Sequence, residues 1–108
     1  MSQKLLQVNF NFSGVSRAEL EEAWLPAAKA IAETPGLRWK LFLINETERE
    51  VAGICLFDDE ASLRAYLAGP VAALKNDPTL SNISVKQFDV MEEHSAITRG
   101  PIREGVRV

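Results

Sequence analysis

The chain has 108 residues, a mass of 12.0 kDa and a net charge of −3, and 46% of its residues are apolar. This length favours a single domain, and the 25% of charged residues is typical of folded proteins rather than disordered ones. The slightly acidic balance argues against nucleic acid as a partner, because nucleic-acid binding needs a clustered basic surface. No apolar run approaches the ~18 residues of a membrane span, so no membrane partner is expected.

The chain has one cysteine, Cys55, and one histidine, His94. A lone cysteine forms no intramolecular disulfide, and one cysteine with one histidine cannot build a zinc site without further ligands. The glycines are scattered, with no phosphate-binding loop and no flavin or nicotinamide fingerprint. Without a signal-peptide pattern at the start, the expectation is a cytoplasmic protein with no cofactor and no metal. Cys55 lies in an apolar run and is interpreted as an inert buried thiol.

The first half of the chain begins with a strand and a helix. Residues 5–12 alternate between apolar and amide side chains, which predicts a strand with one apolar and one amide face. Ser16 and Glu19 have the spacing of a capping box, which indicates that a helix begins there. Pro26 is expected to kink or split that helix, and Pro35 with the following glycine should end it.

Two more strands follow at residues 37–44 and 51–57, joined by a polar loop, and both carry apolar side chains on each face. A second helix, capped by Asp58 or Asp59, leads to a fourth strand at residues 83–91. The order βαββαβ predicts a ferredoxin-like α+β fold, with a four-stranded antiparallel sheet and the helices on one face.

The second face of the sheet needs a cover. Residues 1–91 supply two helices, which cover one face, and the remaining arm at residues 92–108 is irregular and polar. The economical solution is an isologous homodimer that packs sheet against sheet, a dimeric α+β barrel. The arm is predicted to cross to the partner subunit at least as far as Ile97 or Ile102.

Several segments resemble the YdhR-like mono-oxygenase family. They lie at residues 5–12, 33–40, 52–60, 65–67 and 88–90, and the Pro-Gly-x-x-Trp-Lys and Gly-Ile-x-Leu-Phe-x-Asp-Glu motifs are the most specific. The likeness runs over about residues 5–97 and implies a dimeric α+β barrel. It also implies oxidation of an aromatic substrate, phenolic or polycyclic, by O2 without metal or flavin. The alternatives are a non-catalytic dimer that binds a small apolar ligand or acts in a stress response, and haem degradation. The absence of a histidine in the second helix argues against haem.

Three residues are candidate catalytic groups: Asn9 and Trp39, which could face a cavity, and His94, whose ordinary pKa of about 6.5 suits a general base. The alternative for Asn9 is hydrogen bonding to neighbouring amides, water or the partner, and for Trp39 core packing. His94 could be a solvated loop residue instead.

Five further residues are candidate substrate-binding groups: Gln7, Asn11, Trp24, Arg38 and Tyr66. The first two share the amide face, whereas Trp24 and Tyr66 lie at helical spacings that also suit core packing. Arg38 and Lys40 point away from Trp39. They are interpreted either as solvated edge-strand charges or as anion-binding groups at a pocket mouth.

Overall fold

The computed structural model describes residues 3–102. The elements are β1 (Lys4–Phe12), α1 (Arg17–Ile31), β2 (Leu37–Asn45), β3 (Glu50–Phe57), α2 (Glu60–Tyr66), β4 (Leu80–Asp89) and α3 (Glu92–Ile97). A π-helical turn at Leu67–Val71 and a 3-10 turn at Leu74–Asn76 lie between α2 and β4. The strands form one antiparallel sheet in the order β2-β3-β1-β4, which confirms the ferredoxin-like α+β fold.

The main core lies between the sheet and the two helices α1 and α2. Leu6, Val8, Phe10 and Phe12 form the buried face of β1, as the alternating pattern predicts. Each fully buried apolar side chain of this size stabilises the fold by about 1.5–3 kcal/mol. Side chains from the other elements complete the same cluster: Leu20 of α1, Val51, Cys55 and Phe57 of β3, and Leu63 and Tyr66 of α2.

Helix α1 begins with the expected capping box. Ser16 Oγ accepts a hydrogen bond from the Glu19 amide at 3.1 Å, and Glu19 Oε1 accepts one from the Ser16 amide at 2.8 Å. The split expected at Pro26 does not occur, since α1 is continuous from Arg17 to Ile31. Pro26 is exposed, so the carbonyl that loses its helical partner can bond to water, which makes the proline tolerable.

Strand β4 begins at Leu80 and ends at Asp89, three residues earlier than expected at its start and two at its end. The start of the strand was predicted too late because the strand is irregular there. Asn82 adopts a left-handed backbone with φ of 54°, and the β1–β4 register shifts between Asn9 and Asn11. Such an irregularity interrupts the alternation on which the prediction depends.

The C-terminal arm contains a short helix, α3, where an irregular segment was expected. After Gly100 the chain folds back on its own protomer: the Pro101 carbonyl accepts a 2.8 Å hydrogen bond from Trp39 Nε1, and the Ile102 carbonyl accepts one from Gln3 Nε2. Ile102 is buried within the protomer, whereas Ile97 is 72% exposed. Contact of the arm with a partner stays a prediction, and its last part, residues 103–108, lies outside the described residues.

The face of the sheet opposite α1 and α2 carries large apolar side chains that are partly exposed. Leu41 and Leu43 of β2 are about half exposed, and so is Phe88 of β4. Their positions in the ladders place all three on the same side as Leu5 and Ile54. This surface, called the open face below, is the one for which the sequence predicts a second subunit.

Candidate active site

A cavity of about 330 Å3 lies between the sheet, α1 and the segment that follows α2. Its walls are apolar, and Lys40 and Tyr66 are the polar or charged side chains among them. The volume lies at the lower end of the range for small-molecule sites, and a few polar groups in apolar walls are typical of such sites. The principal apolar lining residues are Val8, Phe10, Trp24, Phe42, Val71 and Leu74.

The cavity adjoins a hollow on the surface beside α1. Trp24 and Phe42 line both the cavity and a shallower hollow formed with Leu25 and Ala28. Leu25 is 60% exposed and Phe42 is 44% exposed. Trp24 and Phe42 therefore separate the cavity from a surface hollow that Glu21 and Glu22 also line.

Lys40 enters the cavity because of its neighbours in the sheet. A bulge at Arg38 sets the β2 alternation, so that Lys40 and Phe42 share the helix side of the sheet. Gly53 lies opposite Phe42, and a Cβ atom there would approach Lys40 Cε to 3.1 Å. The missing side chain of Gly53 thus leaves the space in which the lysine lies across β3.

The ammonium group of Lys40 meets an aromatic hydroxyl and an aromatic face. Lys40 Nζ donates a hydrogen bond to Tyr66 Oη at 2.8 Å and lies 4.3 Å from the centre of the Phe42 ring. None of the ion pairs within residues 3–102 includes Lys40. The amine is therefore held by neutral groups, unlike Lys4, which pairs with Asp89.

Burial shifts all three titratable groups of this cluster. Desolvation lowers the pKa of Lys40 below its ordinary 10.5, because the charged form loses water. Desolvation likewise raises the pKa of Tyr66 and of the Cys55 thiol. Each shift favours the neutral form of its group.

Tyr66 is the only tyrosine of the chain, so tyrosinate absorbance reports on it alone. Because its folded-state pKa is raised above 10.0, the stability that the neutral phenol contributes is complete below that pH and is lost as the pH rises further. In an alkaline titration we expect tyrosinate to appear only together with loss of the circular dichroism of the fold. Ionisation near pH 10 in a protein that stays folded would contradict the buried placement.

Two of the predicted substrate-binding residues line the cavity. Trp24 packs edge-on against Phe10, with ring centres 5.9 Å apart, and presents its indole at the cavity mouth. Tyr66 is 3% exposed, packs against Phe57 and holds Lys40. Trp24 and Tyr66 therefore pack in the core and also line the cavity. Their helical spacing is compatible with both roles.

The amide residues and Trp39 lie on the open face, away from the cavity. Gln7 Nε2 donates to Asn9 Oδ1 and Asn9 Nδ2 donates to Glu50 Oε2, each at 2.9 Å. Asn11 bonds to the Arg49 carbonyl. The Gln7–Asn9 bond is of the amide–amide kind that the alternative interpretation proposed, whereas Asn9 and Asn11 also bond to β3 and to the loop before it, and Trp39 donates to the arm.

Arg38 and His94 also lie apart from the cavity. Arg38 Nη1 donates to Asp58 Oδ1 at 2.9 Å, across the end of the sheet. His94 is exposed in α3, where its carbonyl accepts the Thr98 amide at the helix end. The structure therefore does not bring Asn9, Trp39 and His94 together with Trp24 and Tyr66 in one site.

Sequence reasoning did not assign Phe42 and Gly53 to the site, and it considered Lys40 only as one of two alternatives, an anion-binding group at a pocket mouth. A signal was present: a lysine that alternates with Phe42 and Ile44 on the apolar side of a strand has to lie at or inside a core. Within residues 3–102, no group of three histidine, cysteine or acidic residues could hold a metal ion. Over the same residues, no helix is both long and apolar enough to span a bilayer.

Comparison with known proteins identifies relatives of the whole fold. The family model described as "Putative mono-oxygenase ydhR" matches residues 5–101. A search of curated proteins finds no match.

Three similar structures carry informative names. SnoaB, a cofactor-independent oxygenase from Streptomyces nogalater, was solved as a variant; it is 20% identical, with 84% of this chain and 95% of that chain covered and a TM-score of 0.65. A dimeric ferredoxin-like protein from Thermobifida fusca is 21% identical, with 82% and 92% covered and a TM-score of 0.63. The haem degrader MhuD from Mycobacterium tuberculosis is 19% identical, with 81% and 95% covered and a TM-score of 0.61. Identities this low show a shared fold.

Proposed function

The chain belongs to the ydhR family, and from this premise we propose that it is a mono-oxygenase that oxidises an aromatic substrate in the Lys40 cavity without a cofactor. The observation that carries the proposal is an amine, with a pKa that burial lowers, at the end of an apolar cavity of about 330 Å3. A flat phenol or anthrone would be enclosed by apolar walls and meet Lys40 with its oxygen.

Lys40 is the proposed proton acceptor. A neutral amine takes the proton of the substrate, and the ammonium so formed then lies beside the substrate anion and stabilises it. A lowered pKa suits this role, since a general base works best when its pKa approaches the working pH. Tyr66 is the positioning residue, because its hydroxyl holds Lys40 Nζ at 2.8 Å.

The electrons for the reaction come from the substrate itself. An electron-rich anion passes electrons to O2, so that a CH2 group and O2 become a C=O group and water. One oxygen atom enters the product and the other leaves as water, and no external reductant is consumed. The protein contributes an apolar space for both reactants and a charge beside the anion.

The test uses an anthrone as the substrate, with the spontaneous oxidation rate subtracted. We expect product under O2 and none under argon. Asn9→Ala distinguishes the Lys40 cavity from the open face as the site of the reaction. If Asn9→Ala abolishes activity and a Lys40 variant does not, the reaction takes place on the open face. If the anthrone quenches tryptophan fluorescence but gives no product, a ligand-binding role takes the place of the enzyme.

We further propose that two copies pack through the open face. The support is the apolar surface around Leu41 and the dimeric Thermobifida fusca protein of the same fold. We expect Leu41→Glu to convert the dimer to a monomer in light scattering, since it would bury a charge against apolar groups. Leu25→Glu, equally exposed but on α1, is the matched control and should remain dimeric. A Leu41→Glu protein that stays dimeric would place the interface elsewhere.

A further inference from the structure

The geometry around Lys40 points to a second chemistry: its amine forms an imine with apolar aldehydes or ketones that enter the cavity. Imine formation needs a nucleophilic amine, room for a carbonyl compound beside it, and a group that can move a proton. The cavity brings these three together at one end, where β2, β3 and α2 meet.

The amine is accessible to the cavity and is not neutralised by a carboxylate. Lys40 lines the cavity, and its hydrogen-bond partner there is the neutral Tyr66 hydroxyl at 2.8 Å. Cys55 is the other titratable group near the amine, and burial raises the pKa of both Cys55 and Tyr66, so neither holds a negative charge against it. An amine in such surroundings is free to react as a base or as a nucleophile.

Desolvation supports the same conclusion. Because it lowers the pKa of Lys40, more of this amine is unprotonated near neutral pH than its ordinary pKa of 10.5 would give. Each unit by which a pKa falls gives about tenfold more neutral amine at a pH well below it. With its place in an apolar cavity, this makes Lys40 the expected site of imine formation among the five lysines of the chain.

The reaction balances without an oxidant or reductant. The lone pair of Nζ forms a bond to the carbonyl carbon, and the π electrons of the C=O bond move to oxygen, which takes a proton. The nitrogen gives up one proton and so regains a lone pair. The hydroxyl then leaves as water after a second protonation, as that lone pair forms the C=N bond. The sum is carbonyl plus ammonium giving protonated imine plus water. Tyr66, in contact with Nζ, is placed to pass protons to and from the departing oxygen.

The apolar walls define the class of carbonyl compound. Trp24, Phe42 and Val71 can contact aromatic or aliphatic groups. Apart from Lys40, none of the described lining residues carries a positive charge that could bind a carboxylate. Naphthaldehyde fits this chemistry, whereas glyoxylate, a small charged aldehyde, does not. Imine formation does not involve O2, so it can be tested independently of the proposed mono-oxygenase activity.

The experiment treats the full-length protein with naphthaldehyde under argon, reduces any imine with cyanoborohydride, and maps the modified lysines by peptide mass spectrometry. Each imine, once reduced, adds the mass of the aldehyde less one oxygen atom. We expect the label to concentrate at Lys40, well above that at the exposed Lys29, Lys75 and Lys86. Glyoxylate is expected to show no such preference.

The controls use the same chain. Lys40→Arg keeps the charge but removes the nucleophile, and should lose the selective label, while Tyr66→Phe should form it more slowly. Label shared equally among Lys29, Lys75 and Lys86, or no label at Lys40, would overturn the inference. Because the map is made on the unaltered protein, the result does not depend on the folding of a variant. Selective labelling without anthrone oxidation would support the imine site and reject the oxygenase. Anthrone oxidation without selective labelling would support the oxygenase and reject the imine site.

Discussion

Lys40→Met is expected to lower the rate of anthrone oxidation by about 10²–10⁴-fold, the usual contribution of a general base. The methionine nearly preserves the shape of the side chain but cannot take a proton or stabilise an anion. Lys29→Met, in an exposed turn of α1, is the matched control, since it changes the net charge equally and leaves the cavity intact. Turnover that survives in Lys40→Met would reject the proposed site.

The same substitution should not destabilise the fold. Removing a half-buried ammonium relieves a desolvation cost, while Tyr66 loses one hydrogen bond worth about 1 kcal/mol. We expect the free energy of unfolding to stay equal or to rise by on the order of 1 kcal/mol. Urea unfolding at neutral pH measures this, and a loss larger than that of Lys29→Met would show that the ammonium stabilises the fold.

The pH dependence of this stability difference has a definite sign. A lysine with a lowered pKa costs stability in full below its folded-state pKa, where both states are protonated. The cost fades as the pH rises towards 10.5, because the folded state is then already neutral. The advantage of Lys40→Met over the unaltered protein should therefore shrink between neutral and alkaline pH.

Gly36→Ala is expected to cost about 3 kcal/mol or more of stability. Gly36 has φ of +81°, a conformation that costs another residue about 1–2 kcal/mol. An added Cβ would also overlap Ser62 Oγ and lie 2.5 Å from Ser62 Cβ, which adds an overpacking cost of about 1–3 kcal/mol. The close approach exists because the Gly36 carbonyl accepts the Asp58 amide just before α2.

Gly14 supplies the matched control for this prediction. Its φ of +77° is nearly the same, but an added Cβ would meet nothing within 4 Å. Gly14→Ala should therefore cost only the backbone part, about 1–2 kcal/mol. In the Gly36→Ala background, Ser62→Gly should recover part of the loss. Urea unfolding of the unaltered protein, the Gly36→Ala and Ser62→Gly single variants and the double variant measures the coupling between the two positions. Equal losses at Gly14 and Gly36 would show that the contact with Ser62 contributes nothing.

Much of the fold could be predicted because its signals are local. Apolar and amide side chains alternate along β1, and the capping box at Ser16 lies within four residues of sequence. The errors arose where one residue departs from the regular pattern: Asn82 at the start of β4 and Pro26 within α1. The register shift between β1 and β4 accommodates Asn82, and exposure to water accommodates Pro26.

The site was less predictable, because its parts lie far apart in the chain. Lys40 and Tyr66 are 26 positions apart, and each has an ordinary alternative as a surface charge or a core residue. For Asn9, the sequence left open a ligand contact and a neighbouring amide. In the structure its partners are Gln7 and Glu50, the second 41 positions away.

The order of the strands and helices, the apolar face of β1 and the family resemblance can be read from the chain, because they follow from spacings between near neighbours. Which face holds a cavity, and which charged residue enters it, depends on how the elements pack. Lys40 lies inside because the β2–β3 register places Gly53 beside its side chain and because α2 brings the Tyr66 hydroxyl within reach. Both depend on packing between distant segments, which no local pattern encodes.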